Sequence, residues 1–340
     1  VRRRRLAAVI RVKMPSFDDI LAAAERIRPY ILHTPLLRSP VLDARLGGRL
    51  LVKAECLQPT GSFKVRGAYN RLLLMSADER AAGVIAWSAG NHGQALALAG
   101  RSLGVTVTIV MPSDAPRAKI EGTRRWGAEI ILYDRLTESR EEIGHGVAQR
   151  RGLVIVPPYD DPDVIAGQGT AGLEALMDAA SLGERPTRML CCTGGGGLIA
   201  GCALAAERLA PWLAVHPIEP VGYDDTARSI CAGARTVNDV AAPSICDALM
   251  TATPGEIAFA INQPRLAEGV AVSDEEVRAA MLFALRELKI LVEPGGAAAL
   301  AAALFRPQLV RDTTTIVMVT GGNLDLSTLP SLLASDMPIG

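Results

Sequence analysis

The stretch RMLCCTGGGGLIAG, residues 188–201, joins an apolar strand to a helix of small residues through four consecutive glycines. A strand that leads through a short turn into a helix is the repeating unit of parallel α/β folds. Four glycines carry a high entropic cost, which argues against a merely flexible turn. Backbone N–H groups at a helix N-terminus can instead hold a phosphate. The stretch therefore predicts a parallel sheet with an anion cradle at its carboxyl edge.

The same alternation of strand and helix continues along nearly the whole chain, which predicts an α/β fold with a mostly parallel, doubly wound sheet. The predicted strands are RLLVKA (49–54), VIAW (84–87), VTVTIVMP (105–112), AEIILY (128–133), LVIVPP (153–158), RMLCC (188–192), LAVHPIE (213–219) and TTIVMVT (314–320). Predicted helices include 91–103, 163–180, 198–209, 274–289 and 295–305.

Composition excludes several function classes. The 340 residues suffice for two domains, and 36 basic residues balance 36 acidic ones, so we expect no nucleic-acid partner. No apolar run is long enough to span a membrane, and the basic run at residues 2–5 favours a disordered tail over a signal peptide. Six cysteines without paired spacing indicate reduced thiols and a cytoplasmic location.

A lone lysine, Lys64, lies within GSFKVRGAYN (61–70) at a predicted helix start. The helix dipole disfavours a positive charge there, and formation of an imine would remove that charge. A phosphate cradle together with such a lysine suggests pyridoxal phosphate. Gly195, Gly197 and Ala200 also fit the dinucleotide pattern G-x-G-x-x-A, with Glu219 at a suitable distance. A nicotinamide-dependent oxidoreductase therefore stays open, although it leaves Lys64 unexplained.

A second turn, SAGNHG (88–93), also follows a predicted strand and opens a helix. Its N–H groups, the Ser88 hydroxyl and the Asn91 amide suit a carboxylate or another anion. Asn91 can cap the helix and still contact a ligand. For His92 we favour a structural histidine over a catalytic base.

Six motifs in order resemble the fold type II pyridoxal-phosphate enzymes. They are GSFKVRGA, SAGNHGQALA, AGQGT (166–170), TGGGGLIAG, EPGGAAA (293–299) and TGGN (320–323). The resemblance covers roughly residues 16–330 and is strongest to the branch of serine/threonine dehydratases (threonine ammonia-lyases) and serine racemases. It implies a tryptophan synthase β-like fold with two doubly wound parallel-sheet domains. The large cofactor domain would comprise 14–81 and 160–330, and the small domain, 82–159, would close over the substrate. A homodimer is expected.

The resemblance also implies a role for individual residues. Lys64 would bind the cofactor as a Schiff base and act as the base, with Phe63 packed on the ring. Asn91 would bond the ring hydroxyl, and Thr320 would face the ring nitrogen. The remaining assignments are the phosphate site, formed by Gly194, Gly195, Gly196, Gly197 and Leu198, and the substrate-carboxylate loop, formed by Ser88, Ala89, Gly90, Asn91 and His92.

Three positions depart from the pattern of this branch. Racemases have a serine, the second base, where this chain has Ala89, so elimination is favoured over racemisation. Thr320 replaces the usual serine but keeps the hydroxyl, which does not force the ring nitrogen to stay protonated. In ICDALM (245–250), Ala248 replaces a glycine of ADG, which leaves the substrate open.

Acidic residues in EPVGYDDT match a divalent-cation site of this branch. Glu219, Asp225 and the carbonyl of Tyr223 would be the ligands, and such hard oxygen ligands suit Mg²⁺ or Ca²⁺. The alternative is a pair of solvated acids at a strand end.

We therefore expect elimination of water from a β-hydroxy amino acid such as L-threonine or L-serine, giving a 2-oxo acid and ammonia. The alternatives are a serine or other amino-acid racemase, a hydroxyaspartate or aryl-serine dehydratase, the oxidoreductase, and a non-catalytic ligand sensor. The chain ends soon after TGGN, so we expect no C-terminal regulatory domain like that of biosynthetic threonine dehydratases.

Overall fold

The computed structural model describes residues 14–88, 90–115, 117–134, 136–238 and 243–333, with the side chains of residues 117 and 118 left out. The basic run at residues 2–5 and Ala89 lie outside the described residues. The strands are β1 (Leu36–Leu37), β2 (Arg49–Ala54), β3 (Val84–Trp87), β4 (Val107–Pro112), β5 (Glu129–Tyr133), β6 (Val154–Ile155), β7 (Arg188–Cys192), β8 (Ala214–Pro220), β9 (Val270–Val272) and β10 (Thr314–Val319). The helices are α1 (Phe17–Ile27), α2 (Pro40–Leu46), α3 (Lys64–Leu73), α4 (Ala77–Ala82), α5 (Asn91–Leu103), α6 (Arg117–Arg125), α7 (Arg140–Arg151), α8 (Pro162–Ser181), α9 (Gly197–Leu209), α10 (Asp225–Ala232), α11 (Glu256–Asn262), α12 (Asp274–Phe283), α13 (Pro294–Phe305) and α14 (Leu329–Leu333).

The strands form two sheets. The larger has the order β1-β2-β10-β7-β8-β9, and the smaller has the order β5-β4-β3-β6. Every pairing is parallel except that of β1, which runs antiparallel to β2. The predicted α/β class with two mostly parallel sheets is confirmed. All four strands of the smaller sheet lie within 82–159, while the division of the chain into domains at those residues stays a prediction.

Helices cover both faces of each sheet. Along β10, Ile316 and Met318 belong to the hydrophobic cluster that includes residues of α8 and α9, whereas Val317 and Val319 belong to the one that includes residues of α12 and α13. Side chains of a strand alternate between faces, so an all-apolar strand is buried on both. The smaller sheet packs α5 on one face and α7 on the other. Both sheets are therefore doubly wound.

Some predicted bounds were wrong. The strand predicted at 153–158 is only β6, because the two prolines that follow it have no N–H group for the ladder. The helix predicted at 274–289 is α-helical only to Phe283 and continues as a π-helix, Ala284–Leu288. Short elements such as β1, β9, α2, α10 and α11 were not predicted, because they are too short to show a period.

Among the described residues, no helix combines the length and apolar character that a membrane crossing requires. All six cysteines are free thiols, and Cys231 is the exposed one.

A buried ion cluster fixes the start of α3. The Arg66 side chain has no exposed surface, and its guanidinium donates to both carboxylate oxygens of Glu55, each at 2.7 Å. It also donates to Glu174 of α8 at 2.8 and 2.7 Å, and Lys53 of β2 donates to the same carboxylate at 2.8 Å. Burial alone would lower the pKa of Arg66, but the two carboxylates raise it well above its ordinary value. The cluster ties the first turn of α3 to β2 and α8.

Replacing Arg66 by methionine leaves the buried Glu55 carboxylate without its main partner. We expect Arg66→Met to lower the free energy of unfolding by about 3–5 kcal/mol, as for other broken buried ion pairs. Urea unfolding followed by circular dichroism measures the loss. Arg45→Met, at an exposed position of α2, is the matched control and should stay within about 0.5 kcal/mol of the parent chain. Equal stability of both variants would contradict the role of the cluster.

Candidate active site

A cavity of about 730 Å³ lies between the carboxyl ends of the strands of the two sheets. Trp87 and Pro112 end strands of the smaller sheet at its wall, and Cys192 ends a strand of the larger one. Ligands of parallel α/β sheets bind at this edge. The sequence-predicted residues that line it are Phe63, Lys64, Ser88, Gly90, Asn91, His92, Gly194, Gly195, Gly196, Gly197, Leu198 and Thr320.

Lys64 is the first residue of α3, and its side chain reaches into the cavity. Its Nζ donates to the carbonyl of Pro158 at 2.6 Å and lies 5.0 Å from the centre of the Phe63 ring. Neither neighbour carries a negative charge. Burial therefore lowers the pKa of Lys64 to about 8, because the charged form loses hydration that no carboxylate replaces. The neutral amine, which is the form that acts as a nucleophile or base, therefore forms at a lower pH than in an exposed lysine.

The glycine turn after β7 has no room for side chains. A Cβ atom at Gly195 would lie 2.3 Å from the ring of Tyr159, and one at Gly197 would lie 2.5 Å from the Tyr159 carbonyl oxygen. Gly196 has φ +90°, a left-handed conformation that favours glycine, and it caps the N-terminus of α9. The turn thus presents backbone N–H groups and the positive end of a helix to the cavity.

The second turn leads from β3 into α5. Ser88 Oγ accepts a hydrogen bond from the backbone N–H of Gly90 at 3.2 Å. The buried His92 ring bonds the Val156 carbonyl through Nε2 at 2.9 Å, so this nitrogen carries the proton. Burial and then the charge of Lys64 lower the pKa of His92 to about 3, which keeps the ring neutral. Its contacts favour the predicted structural role.

The Asn91 amide is hydrogen-bonded to Glu293, which precedes α13, and to Asn323, which follows β10. Its Nδ2 donates to Glu293 Oε1 at 2.5 Å, and its Oδ1 accepts from Asn323 Nδ2 at 2.7 Å. Burial raises the pKa of Glu293 to about 7, although the Asn91 bond favours the charged form. Nδ2 keeps a second hydrogen for a ligand in the cavity.

Thr320 lies beside residues 61–63, the loop that leads into Lys64 and is called the lysine loop below. It is buried, and its carbonyl oxygen accepts from the Phe63 N–H at 3.1 Å. Thr320 also lines the cavity. Ala248, which departs from the family pattern, lines the cavity next to Gly295. A Cβ atom at Gly295 would lie only 3.1 Å from the Ala248 methyl group, so the glycine leaves room for that methyl.

The predicted metal ligands lie away from this cavity. Both oxygens of the buried Glu219 accept backbone N–H groups of α10, from Thr226 at 2.8 Å and Ala227 at 2.9 Å. Asp225 Oδ1 accepts from Asn238 at 2.8 Å, and Oδ2 is buried without a partner in the structure. Burial raises the pKa of Glu219 to about 8. Within the described ranges, no group of three or more His, Cys, Asp or Glu residues is placed to hold a metal ion.

Sequence reasoning missed several residues of the cavity wall. Lys119 of α6 pairs with Asp247, and Arg140 of α7 pairs with Glu141 at 2.8 Å. Such isolated charges carry no motif. Other missed residues include Pro158, Tyr159, Glu293 and Asn323, of which the last two stand in motifs that were noted.

The residues present fit pyridoxal phosphate. The glycine turn and the N-terminus of α9 suit its phosphate, and the low-pKa amine of Lys64 suits its aldehyde. Thr320 lines the same cavity, and its hydroxyl suits the ring nitrogen. Glu219, whose carboxylate is already bonded to α10, is not available to a ribose as the dinucleotide alternative requires. The fold and site together define a pyridoxal-phosphate enzyme of fold type II.

Comparison with known proteins agrees, and the chain belongs to the pyridoxal-phosphate dependent enzyme family, whose model matches residues 27–322. An L-threo-3-hydroxyaspartate ammonia-lyase of Pseudomonas sp is 41% identical, over 95% of this chain and 99% of that protein. A serine racemase of Schizosaccharomyces pombe is 37% identical, over 92% and 95%. The crystal structure of a T.th. threonine deaminase superposes with a TM-score of 0.86 at 41% identity, covering 92% and 99%. The family resemblance noted in the sequence is confirmed.

Gly196→Ala should weaken cofactor binding. Alanine at this position must keep a left-handed backbone, which a residue with a side chain disfavours. Its methyl group would also lie 2.9 Å from Asn262 Nδ2, so the turn has to shift. We expect about a tenfold loss of affinity for pyridoxal phosphate, the size of one lost hydrogen bond to a charged group. Fluorescence titration of the apoprotein measures it. Gly183→Ala, with φ +71° but open space around it, should keep full affinity. Equal losses in both variants would refute the cradle.

The amine of Lys64 should become reactive at unusually low pH. Its pKa of about 8 means that the neutral form, which attacks electrophiles, grows in as pH rises through 8. In the unfolded chain the same transition falls near ~10.4. Labelling of the apoprotein with trinitrobenzenesulfonate across pH 6–11, with peptide mapping, gives the curve for Lys64. A native midpoint equal to that of the urea-unfolded control would contradict the effect of burial.

Proposed function

We propose that this enzyme catalyses β-elimination from a β-hydroxy amino acid, releasing a 2-oxo acid and ammonia. The observation that carries the proposal is the half-buried amine of Lys64, which faces the same cavity as the glycine turn and has no carboxylate partner within the described residues. The named relatives include ammonia-lyases, which supports the reaction class. A non-catalytic sensor has no need of such an amine.

Pyridoxal phosphate, when bound, supplies an electron sink that acidifies the substrate's α-proton. Lys64, neutral above pH 8, takes up that proton at Nζ. The turn at Ser88 and the N-terminus of α5 hold the substrate carboxylate, because the helix dipole is positive there. With the cofactor bound, the Thr320 hydroxyl would be the partner of the ring nitrogen, and a neutral hydroxyl there would not force that nitrogen to stay protonated.

Among β-hydroxy amino acids, hydroxyaspartate is a candidate beside L-serine and L-threonine. The relative with 41% identity is named for L-threo-3-hydroxyaspartate. The cavity also contains Arg140, whose guanidinium bonds Glu141 through Nε. Arginine is well suited to a second carboxylate, since its planar fork binds both oxygens.

Racemisation is the second candidate reaction, because a serine racemase is 37% identical. It needs a second group that returns a proton from the opposite face. Ala89 has no such proton, and the His92 ring is held neutral against Val156. These observations favour elimination.

A divalent cation at Glu219, Asp225 and the carbonyl of Tyr223 remains a proposal. The buried Asp225 Oδ2, which has no partner in the structure, supports it. The carboxylates of Glu219 and Asp225 also lie close together, because the charge of Asp225 adds to burial in raising the pKa of Glu219. Mg²⁺ or Ca²⁺ suits these oxygen ligands. The homodimer and closure of residues 82–159 over the substrate also remain predictions.

The proposal is tested by assaying 2-oxo acid release from L-serine, L-threonine and L-threo-3-hydroxyaspartate. We expect turnover of at least one substrate by the native enzyme and none by Lys64→Ala, which lacks the base. Lys289→Asn is the matched control, because Lys289 is exposed and asparagine tolerates its left-handed backbone.

Chiral analysis of the remaining serine in the same assay separates the two reactions. If D-serine appears faster than the 2-oxo acid, racemisation is the main reaction and the proposed elimination is contradicted. Activity that survives in Lys64→Ala would overturn the mechanism altogether.

A further inference from the structure

We propose that Asn323 and Glu293 are positioning residues, which hold the Asn91 amide so that one of its N–H bonds is directed to the cofactor's ring hydroxyl. The inference rests on the proposed binding of the cofactor by Asn91. Four residues form a hydrogen-bond relay through the cavity wall, Thr60, Asn323, Asn91 and Glu293.

The backbone carbonyl of Thr60 sets the direction of the relay. A carbonyl oxygen only accepts, so the Asn323 atom 2.8 Å from it must be the amide nitrogen. The same nitrogen lies 2.7 Å from the side chain of Asn91. Both hydrogens of Asn323 Nδ2 are then used, and Asn91 must present its oxygen to Asn323.

The orientation of Asn91 follows from that constraint. With Oδ1 bonded to Asn323, Nδ2 faces Glu293 Oε1, a carboxyl oxygen that accepts one of its hydrogens. The flipped amide would place its nitrogen against the Asn323 nitrogen, which only donates, so the bond between the two side chains would be lost. The second hydrogen of Nδ2 remains for a ligand, and Asn91 lines the cavity.

Glycines make room for the relay. A Cβ at Gly61 would lie 2.5 Å from Asn323 Oδ1, and one at Gly321 would overlap Glu293 Oε1 at 1.9 Å. Gly61 belongs to the lysine loop, and Gly321 belongs to TGGN. The glycines of these two motifs therefore have a second use, since they admit the side chains that orient Asn91.

The relay also joins three separate segments at the cavity. Asn91 begins α5, Glu293 precedes α13, and Asn323 follows β10. Glu293 is buried, and Thr60 is buried as well. The bonds that link Thr60, Asn323, Asn91 and Glu293 are themselves partly buried, and hydrogen bonds shielded from water are stronger than exposed ones. The position of the Asn91 amide is thus set before a ligand arrives.

The test uses apoprotein and two probes, pyridoxal 5′-phosphate and 3-deoxypyridoxal 5′-phosphate, which lacks the ring hydroxyl. In Asn323→Asp the side chain no longer donates to Thr60 or Asn91, so the amide of Asn91 loses its fixed direction. We expect about a tenfold loss of affinity for pyridoxal phosphate and less than a twofold loss for the deoxy probe. The absorption maximum of the bound natural cofactor should also shift.

Three further variants keep the test decisive. Glu293→Leu removes the acceptor for Asn91 and should lower the affinity for pyridoxal phosphate more than that for the deoxy probe, whereas Glu293→Gln retains an acceptor oxygen and should restore the affinity for both probes. Asn70→Asp is the matched control, because Asn70 also donates to a backbone carbonyl, that of Asp163, but does not line the cavity. It should bind both probes normally.

Equal losses for the two probes in Asn323→Asp would overturn the inference, since the relay would then act only on the fold. Native protein that binds neither probe would instead overturn the proposed function. The two failures are therefore distinguishable.

Discussion

The site depends on the hydrogen bond that the half-buried amine of Lys64 makes to a neutral carbonyl rather than to a carboxylate. Lys64 bonds a neutral carbonyl, and burial holds its pKa near 8. Arg66, two residues after Lys64 in α3, donates to the carboxylates of Glu55 and Glu174. These carboxylates are therefore paired with Arg66 and not with Lys64. Arg66 is thus paired with carboxylates behind the site, whereas Lys64 in the cavity bonds a neutral carbonyl.

The cavity separates three tasks among elements of different origin. The α9 turn from the larger sheet presents N–H groups, the α5 turn from the smaller sheet presents a second helix N-terminus, and α3 supplies the amine. Each turn follows a parallel strand, so the architecture brings them to one edge. A ligand with a phosphate, an aldehyde and a substrate carboxylate matches this arrangement. Family membership identifies that ligand as pyridoxal phosphate.

Local signals in the sequence predicted most of the fold and of the glycine-rich loops. Strands such as RLLVKA and VIAW were located residue for residue, because buried parallel strands read as continuous apolar runs. The order of strands within each sheet has no local signal. The same limit applies to the site, since Glu293 and Asn323 were seen as letters of motifs. Their bonds to Asn91 join residues 202 and 232 positions apart in sequence, which only the folded chain reveals.

The most direct measurement is to reduce the holoenzyme with borohydride and map the pyridoxyl group by peptide mass spectrometry. Reduction fixes the cofactor to whichever amine holds it, and so reports the attachment site without depending on the substrate. The account predicts one modified peptide, the one that contains Lys64. A label confined to another lysine, such as Lys119 in the same cavity or the exposed Lys289, would contradict it.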